Sequence, residues 1–132
     1  MLKLTRKTEY ALIALRHLRF VDEGKVVSSK EIANQYKIPQ PLLAKVLQEL
    51  SRQKFIEPIQ GPQGGYKLRA KLESFSMTEF FEMMEGPWGI MDCYFDSNCE
   101  LVETCNIRSP IQRLNESMRT MFDNMTVNDV TL

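Results

Sequence analysis

The residues with the strongest latent chemistry in this 132-residue chain are its three cysteines, Cys93, Cys99 and Cys105. All three stand in one acidic stretch, DCYFDSNCELVETC, with five residues between each and the next. Thiolates bind soft and borderline metals, so cysteine-only ligation at this spacing fits an iron–sulfur cluster or zinc. Zinc sites more often use paired C-x2-C units, which this sequence lacks. A metal-free thiol switch would need only two of the three sulfurs. In a reducing compartment, clustered thiols point to metal or redox chemistry rather than to a disulfide framework. From spacing alone the three options stay open. The single histidine, His17, sits among arginines on a predicted first helix and is expected to be a surface or packing residue.

The rest of the chain must position that loop. Its length allows one domain, or a small domain with an oligomerisation arm. No run approaches the roughly 20 apolar residues that a membrane span needs. The start, MLKLTRKTEY, lacks an apolar signal region, which predicts a cytoplasmic protein. Net charge is zero but divided: residues 1–71 hold 14 Lys/Arg against 6 Asp/Glu, and residues 72–132 hold 3 against 11. A basic half beside an acidic half predicts a polyanionic partner for the first. No nucleophile–base pair, phosphate loop or carboxylate dyad at useful spacing is present, which argues against an enzyme.

Leu4, with Ala11, Leu15 and Leu18 of residues 5–21, forms an apolar helical stripe, and Asp22-Glu23-Gly24 ends that helix. Ser28 and Glu31 form a predicted capping box for a second, short helix with Ile32, Ala33 and Tyr36 as its apolar face. Pro41 suits the first turn of a third helix. There Leu43, Val46, Leu47 and Leu50 face a core. Gln40, Ala44, Lys45, Gln48 and Arg52 remain on the outer face, the small, polar and partly basic surface that a recognition helix offers a major groove. FIEPIQGPQGGYKLRA then predicts a β-hairpin. Gln60 and Gln63 stand at its tip for base edges, and Lys67 and Arg69 on its return strand for phosphate. The sum is a mainly α, winged helix-turn-helix fold with a small β-hairpin wing.

LTRKTEYAL, SSKEIA, IPQPLLAKVLQELSRQKFI and the wing IQGPQGGYKL together resemble the Rrf-two family of bacterial winged-helix transcriptional regulators. The resemblance runs along essentially the whole chain, and the GGY-x-L of the wing is its most specific part. It implies a homodimer bound to a double-stranded DNA operator. Membership of the family's iron–sulfur subgroup would make Cys93, Cys99 and Cys105 ligands of a 4Fe–4S or 2Fe–2S cluster. In one branch the fourth ligand is a histidine three residues after the last cysteine. Here that position is Arg108, which has no lone pair to offer. In another branch a carboxylate near the N-terminus of the partner subunit completes the site, and the matching position here is Glu9. Asp92, Asp96 and Glu103 are local alternatives. Relatives carry a glutamate where Ala44 stands and an arginine where Gln60 stands, so an operator sequence does not carry over.

Beyond the wing, SMTEFFEMMEG predicts a helix capped by Ser76 and Glu79, with Phe80, Phe81, Met83 and Met84 on its apolar side. After the cysteine loop, at 92–105, Ser109 and Pro110 predict the start of a last helix over 110–125. Its Ile111, Leu114, Met118, Met121 and Met125 repeat at 3, 4, 3 and 4 residues, a seam suited to pairing with a second copy. The expected organisation is therefore a DNA-binding region over 1–71. Residues 72–132 would add the cluster loop and dimerisation helix in one compact dimeric unit. The expected function is a regulator that senses redox state, nitric oxide or iron status through its cluster. Two other readings are a cluster-free regulator controlled by thiol chemistry or a partner protein, and a winged-helix interaction module that does not bind DNA.

Overall fold

The computed structural model describes residues 3–90 and 103–132. Three helices open the chain: α1 (Arg6–Arg19), α2 (Ser29–Tyr36) and α3 (Gln40–Arg52). A hairpin of β1 (Ile56–Ile59) and β2 (Gly65–Leu68) follows, then a single 3-10 turn at Leu72–Ser74. α4 (Met77–Glu85), α5 (Arg108–Asp123) and the one-turn α6 (Val127–Val130) complete the chain.

Four of the six described α-helices begin where the sequence supplies a side-chain oxygen for the free amides of the first turn; α3 and α5 make no such bond. Thr5, Ser28, Ser76 and Thr126 accept from the amides of Thr8, Glu31, Glu79 and Asp129. Only Thr126 and Asp129 form both halves of a capping box. One start was misplaced. Ser109 does not cap α5; the helix begins at Arg108, behind Ile107, which already has helical backbone angles and makes no side-chain cap. Proline in the first turn tolerates either start, because no amide is needed there.

The core is one continuous cluster. Ala11, Leu15 and Leu18 of α1 meet Ile32 and Ala33 of α2 and Leu43, Val46, Leu47 and Leu50 of α3. Phe55, Ile56, Leu72, Met77, Phe80, Met84 and Val127 extend it under the wing and into the second half. Two expected members lie outside it: Leu4 precedes α1, and Tyr36 ends α2, and each is 39% exposed. Helix-end positions escape the stripe because the chain turns away there. The Tyr36 hydroxyl instead lies 2.7 Å from His17 Nδ1, with the two rings edge-to-face.

The wing pairs Ile56 with Leu68 through to Ile59 with Gly65, antiparallel. It is fastened to the helices by a double bridge, Val27 N to Tyr66 O at 2.9 Å and Tyr66 N to Val27 O at 2.7 Å. Gly65 permits this approach, since a Cβ there would lie 2.3 Å from Val27 O, and Gly64 permits the tight turn of the wing, where a Cβ would lie 2.3 Å from Ile59 O.

The two halves interlock. Glu85, at the end of α4, accepts from Thr5 N and Thr8 Oγ1, both at 2.9 Å, and so seals the start of α1. Arg19 donates to Asn128 O at 3.1 Å, and Met77 N to Met125 O at 2.7 Å. Within the protomer α5 rests on α4, where Arg119 pairs with Glu82 at 2.9 Å. Among the described residues no helix is long and apolar enough to cross a membrane.

Candidate nucleic-acid interface

α3 divides cleanly. Its four core leucine and valine positions are no more than 3% exposed, while Gln40, Lys45, Gln48 and Arg52 are exposed and Ala44 is half-buried. A helix with one dry face and one wet, polar face is held rigidly enough to present that wet face to a groove. Arg52 pairs with Glu49 one turn earlier, so its guanidinium is held along the helix. Lys45 makes no ion pair within 4 Å among the described residues.

On the wing, Gln60 and Gln63 are exposed at the tip. Lys67 is not free: it faces Glu57 across the ladder, with Nζ 3.3 Å from Oε1. Arg69 lies just past β2 with its side chain exposed, and its amide is anchored to Phe55 O at 2.9 Å. Exposed ion pairs of this kind contribute no more than about 1 kcal/mol. Arg52 and Lys67 can therefore trade a carboxylate for a phosphate at small cost.

Phe55 connects these DNA-side elements. Its amide donates to Leu50 O, in the last turns of α3, at 3.0 Å, and its carbonyl accepts from Arg69 and Ala70 at the wing's exit. Its ring begins a row of aromatic contacts: Phe80 at 5.8 Å, then Phe81 at 6.4 Å, Phe122 at 5.3 Å and Trp88 at 5.5 Å between centroids. Arg119 covers Trp88, five residues before Cys93, with its guanidinium carbon 5.4 Å from the ring.

Beside α3 lies a cleft of about 350 Å³ that sequence reasoning missed. Arg6, Lys7 and Tyr10 of α1 form one wall, and Leu42, Lys45, Val46 and Glu49 of α3 the other. Nothing local marks these residues as neighbours, because the pairing arises from how α1 crosses α3.

A family model described as Rrf2, an iron-dependent transcriptional regulator, matches residues 4–131. The chain belongs to the Rrf2 family. Among curated relatives, this Rrf2 chain is 26% identical to the HTH-type transcriptional regulator NsrR of Bacillus licheniformis, over 99% of this chain and 93% of that protein. Among solved structures it resembles CymR, the global cysteine regulator of B. subtilis, with a TM-score of 0.76 at 21% identity, covering 99% and 97% of the two chains. T. potens IscR superposes with a TM-score of 0.71 at 21% identity, covering 97% and 85%. As an Rrf2 protein the chain is a winged-helix transcriptional regulator and not an enzyme.

Of the expected ligand set, the Rrf2 structure describes Cys105 and Glu9; Cys93 and Cys99, with Asp92 and Asp96, lie outside the described residues. Cys105 is a half-buried free thiol shortly before α5, and Glu103 is exposed beside it. Glu9 pairs with Arg6 at 3.2 Å in an exposed contact. Among the described residues, His, Cys, Asp and Glu form no group of three that could hold a metal.

Of the expected pairing seam, Leu114 and Met121 are 50% and 51% exposed, and Ile111 and Met118 are half-buried. Met125 falls past the end of α5, where it packs at the core's edge and bonds to Met77. Ile107, at the head of α5, is 51% exposed and continues the stripe four residues before Ile111.

Proposed function

We propose that this Rrf2 regulator acts as a homodimer on an operator in duplex DNA, and that an iron–sulfur cluster held by Cys93, Cys99 and Cys105 sets its affinity. Support for the DNA contact comes from the geometry of α3 and the wing, which present Gln40, Ala44, Lys45, Gln48, Arg52, Gln60, Gln63, Lys67 and Arg69 on the outer surface of the basic half. The contact that reads sequence would come from Gln48, and phosphate contacts from the cations.

The observation that carries the cluster reading is the donor set itself: three thiols and no histidine in one segment between α4 and α5. Such donors fit an iron–sulfur cluster. Glu9 of the partner subunit would be the fourth ligand, and its weak pairing with Arg6 leaves it free to exchange. When bound, the cluster supplies a group whose oxidation or loss alters the charge and tethering of the loop. The chain's own residues would carry that change to DNA, since Trp88 precedes the loop and its aromatic row ends at the base of the wing.

The dimer reading rests on α5, where Ile107, Leu114 and Met121 are each about half exposed within the protomer. Two copies would bury it against each other and place two α3 helices on the half-sites of a palindrome.

The test is anaerobic purification followed by iron and sulfide analysis and an absorption spectrum. The parent should be brown and contain both elements, Cys99→Ala colourless but folded, and Glu9→Ala brown yet faster to bleach under oxygen or nitric oxide. An iron-free parent that still binds DNA would transfer control to thiol chemistry or a partner protein. Equal bleaching of Glu9→Ala and parent would move the fourth ligand to Asp92, Asp96 or Glu103.

A further inference from the structure

We infer that the first turns of α1 form a second DNA contact, with the cleft between α1 and α3 seating the sugar–phosphate backbone at one flank of the groove that α3 enters. The inference rests on the DNA-binding reading above and adds residues that it does not include.

A major groove is about 12 Å wide, and a helix with its side chains is about 10–12 Å across. A helix inside it therefore faces base edges with its outer surface and a phosphodiester strand with each flank. Leu42, Lys45 and Glu49 recur at three- and four-residue intervals and form one such flank. This flank is the α3 wall of the cleft, and Arg6, Lys7 and Tyr10 face it from α1.

The chemistry of the walls matches a chain that alternates phosphate with deoxyribose. Three cations, Arg6, Lys7 and Lys45, surround the opening. The acid on the α3 wall, Glu49, is already engaged by Arg52 and by Gln53 at 3.3 Å. Between the cations Tyr10 and Leu42 offer apolar surface, and Leu42 is 47% exposed beside the polar outer face of α3. A sugar ring would cover that leucine while the neighbouring phosphates meet the cations. An apolar small molecule would leave the Lys45 ammonium unmatched, whereas a phosphate would also let Arg6 exchange its exposed pair with Glu9 at small cost.

The seat is also fixed from the other half of the protein. Glu85 seals the start of α1 through Thr5 and Thr8, so the backbone that carries Arg6 and Lys7 is tied to α4. A clamp on the DNA backbone is thereby tied to the helix that leads into the cysteine loop.

The test is the salt dependence of binding to a fluorescein-labelled mixed-sequence duplex, read by anisotropy on the full-length protein. Each lost phosphate contact flattens the log–log slope by about one, so affinity should fall about fourfold less between about 50 and about 200 mM salt. Lys7→Ala, Arg6→Ala and Lys45→Ala should each show this flattening. Leu42→Ala should weaken binding at every salt concentration and leave the slope unchanged. Arg113→Gln, which removes one charge from the exposed face of α5, should match the parent. Melting curves and sedimentation on each variant separate loss of contact from loss of fold or assembly. Parent-like slopes for folded Lys7→Ala and Arg6→Ala, with Lys45→Ala flattened, would overturn the cleft contact and leave the DNA reading standing. A parent without salt-dependent binding would overturn both.

Discussion

Replacing Gly65 by alanine tests how the wing is held. The new Cβ would lie 2.3 Å from Val27 O, 2.6 Å from Val27 C and 2.9 Å from Ser28 N. All three are backbone atoms, so no flexible side chain can yield, and β2 must retreat by about 1 Å to restore ordinary contact. That retreat stretches both bonds of the Val27–Tyr66 bridge, each worth about 0.5–1.5 kcal/mol, so the expected loss is about 2 kcal/mol. For a domain of this size the melting temperature should fall by roughly 6–10 °C. Gly61→Ala is the comparison. It sits at φ +115° with nothing within 4 Å of the added carbon, so it carries only the strain of a left-handed backbone, about 1–2 kcal/mol. Thermal and urea unfolding measure both variants, and DNA binding reports whether the wing has moved. Gly65→Ala within about 0.5 kcal/mol of the parent, inside the range of neutral surface changes, would refute the packing argument.

Two further outcomes follow from contacts between the halves. Burial works to raise the Glu85 carboxyl, but bonds from the Thr5 side chain and amide and from Thr8, with Lys7 nearby, outweigh it and hold its pKa below 4.5. A depressed carboxylate stabilises the fold above its unfolded value and loses that contribution as pH falls through the folded value. The stability gap between parent and Glu85→Gln should therefore be open at neutral pH and close below pH 4.5; a gap that stays constant across that range would remove the charge from the explanation. Leu114→Glu with Met121→Glu places charges on two half-exposed positions of α5, so the fold should survive while sedimentation shows monomers. A dimer that persists would move the interface elsewhere.

The sequence made the winged-helix elements legible because their signals are local and mutually consistent. The 43-46-47-50 spacing on α3 has one possible inward face, and the glycines of the wing admit few chain paths. Each was found as expected. Errors fell at helix ends. Ser109-Pro110 carries a start signal as good as Ser76's, yet the chain enters α5 earlier, since propensity does not fix the direction from which a segment arrives. Tyr36 and Leu4 extend apolar stripes by one position past the point where packing stops. The T-x-x-D at the start of α6 is a readable cap signal, but the helix that it opens is a single turn. Other features have no local sign at all. Glu85 caps a helix 80 positions earlier in the chain, and Tyr10 meets Leu42 only through the crossing of α1 and α3. The family pattern carried the ligand assignment, because three cysteines at even spacing leave metal and redox readings open.

The aromatic row has a mechanical consequence. Close-packed rings neither bend nor compress appreciably, so a push at one end is delivered to the other rather than absorbed along the way. At the far end, Phe55 is the hinge pin between the recognition helix and the wing, with its amide holding one and its carbonyl the other. On the proposed DNA contact, the opening between those two elements would act as a caliper. A tilt of Trp88 of a few degrees would therefore be expressed as a change in the jaw width of that caliper, carried through the core rings of Phe80 and Phe55.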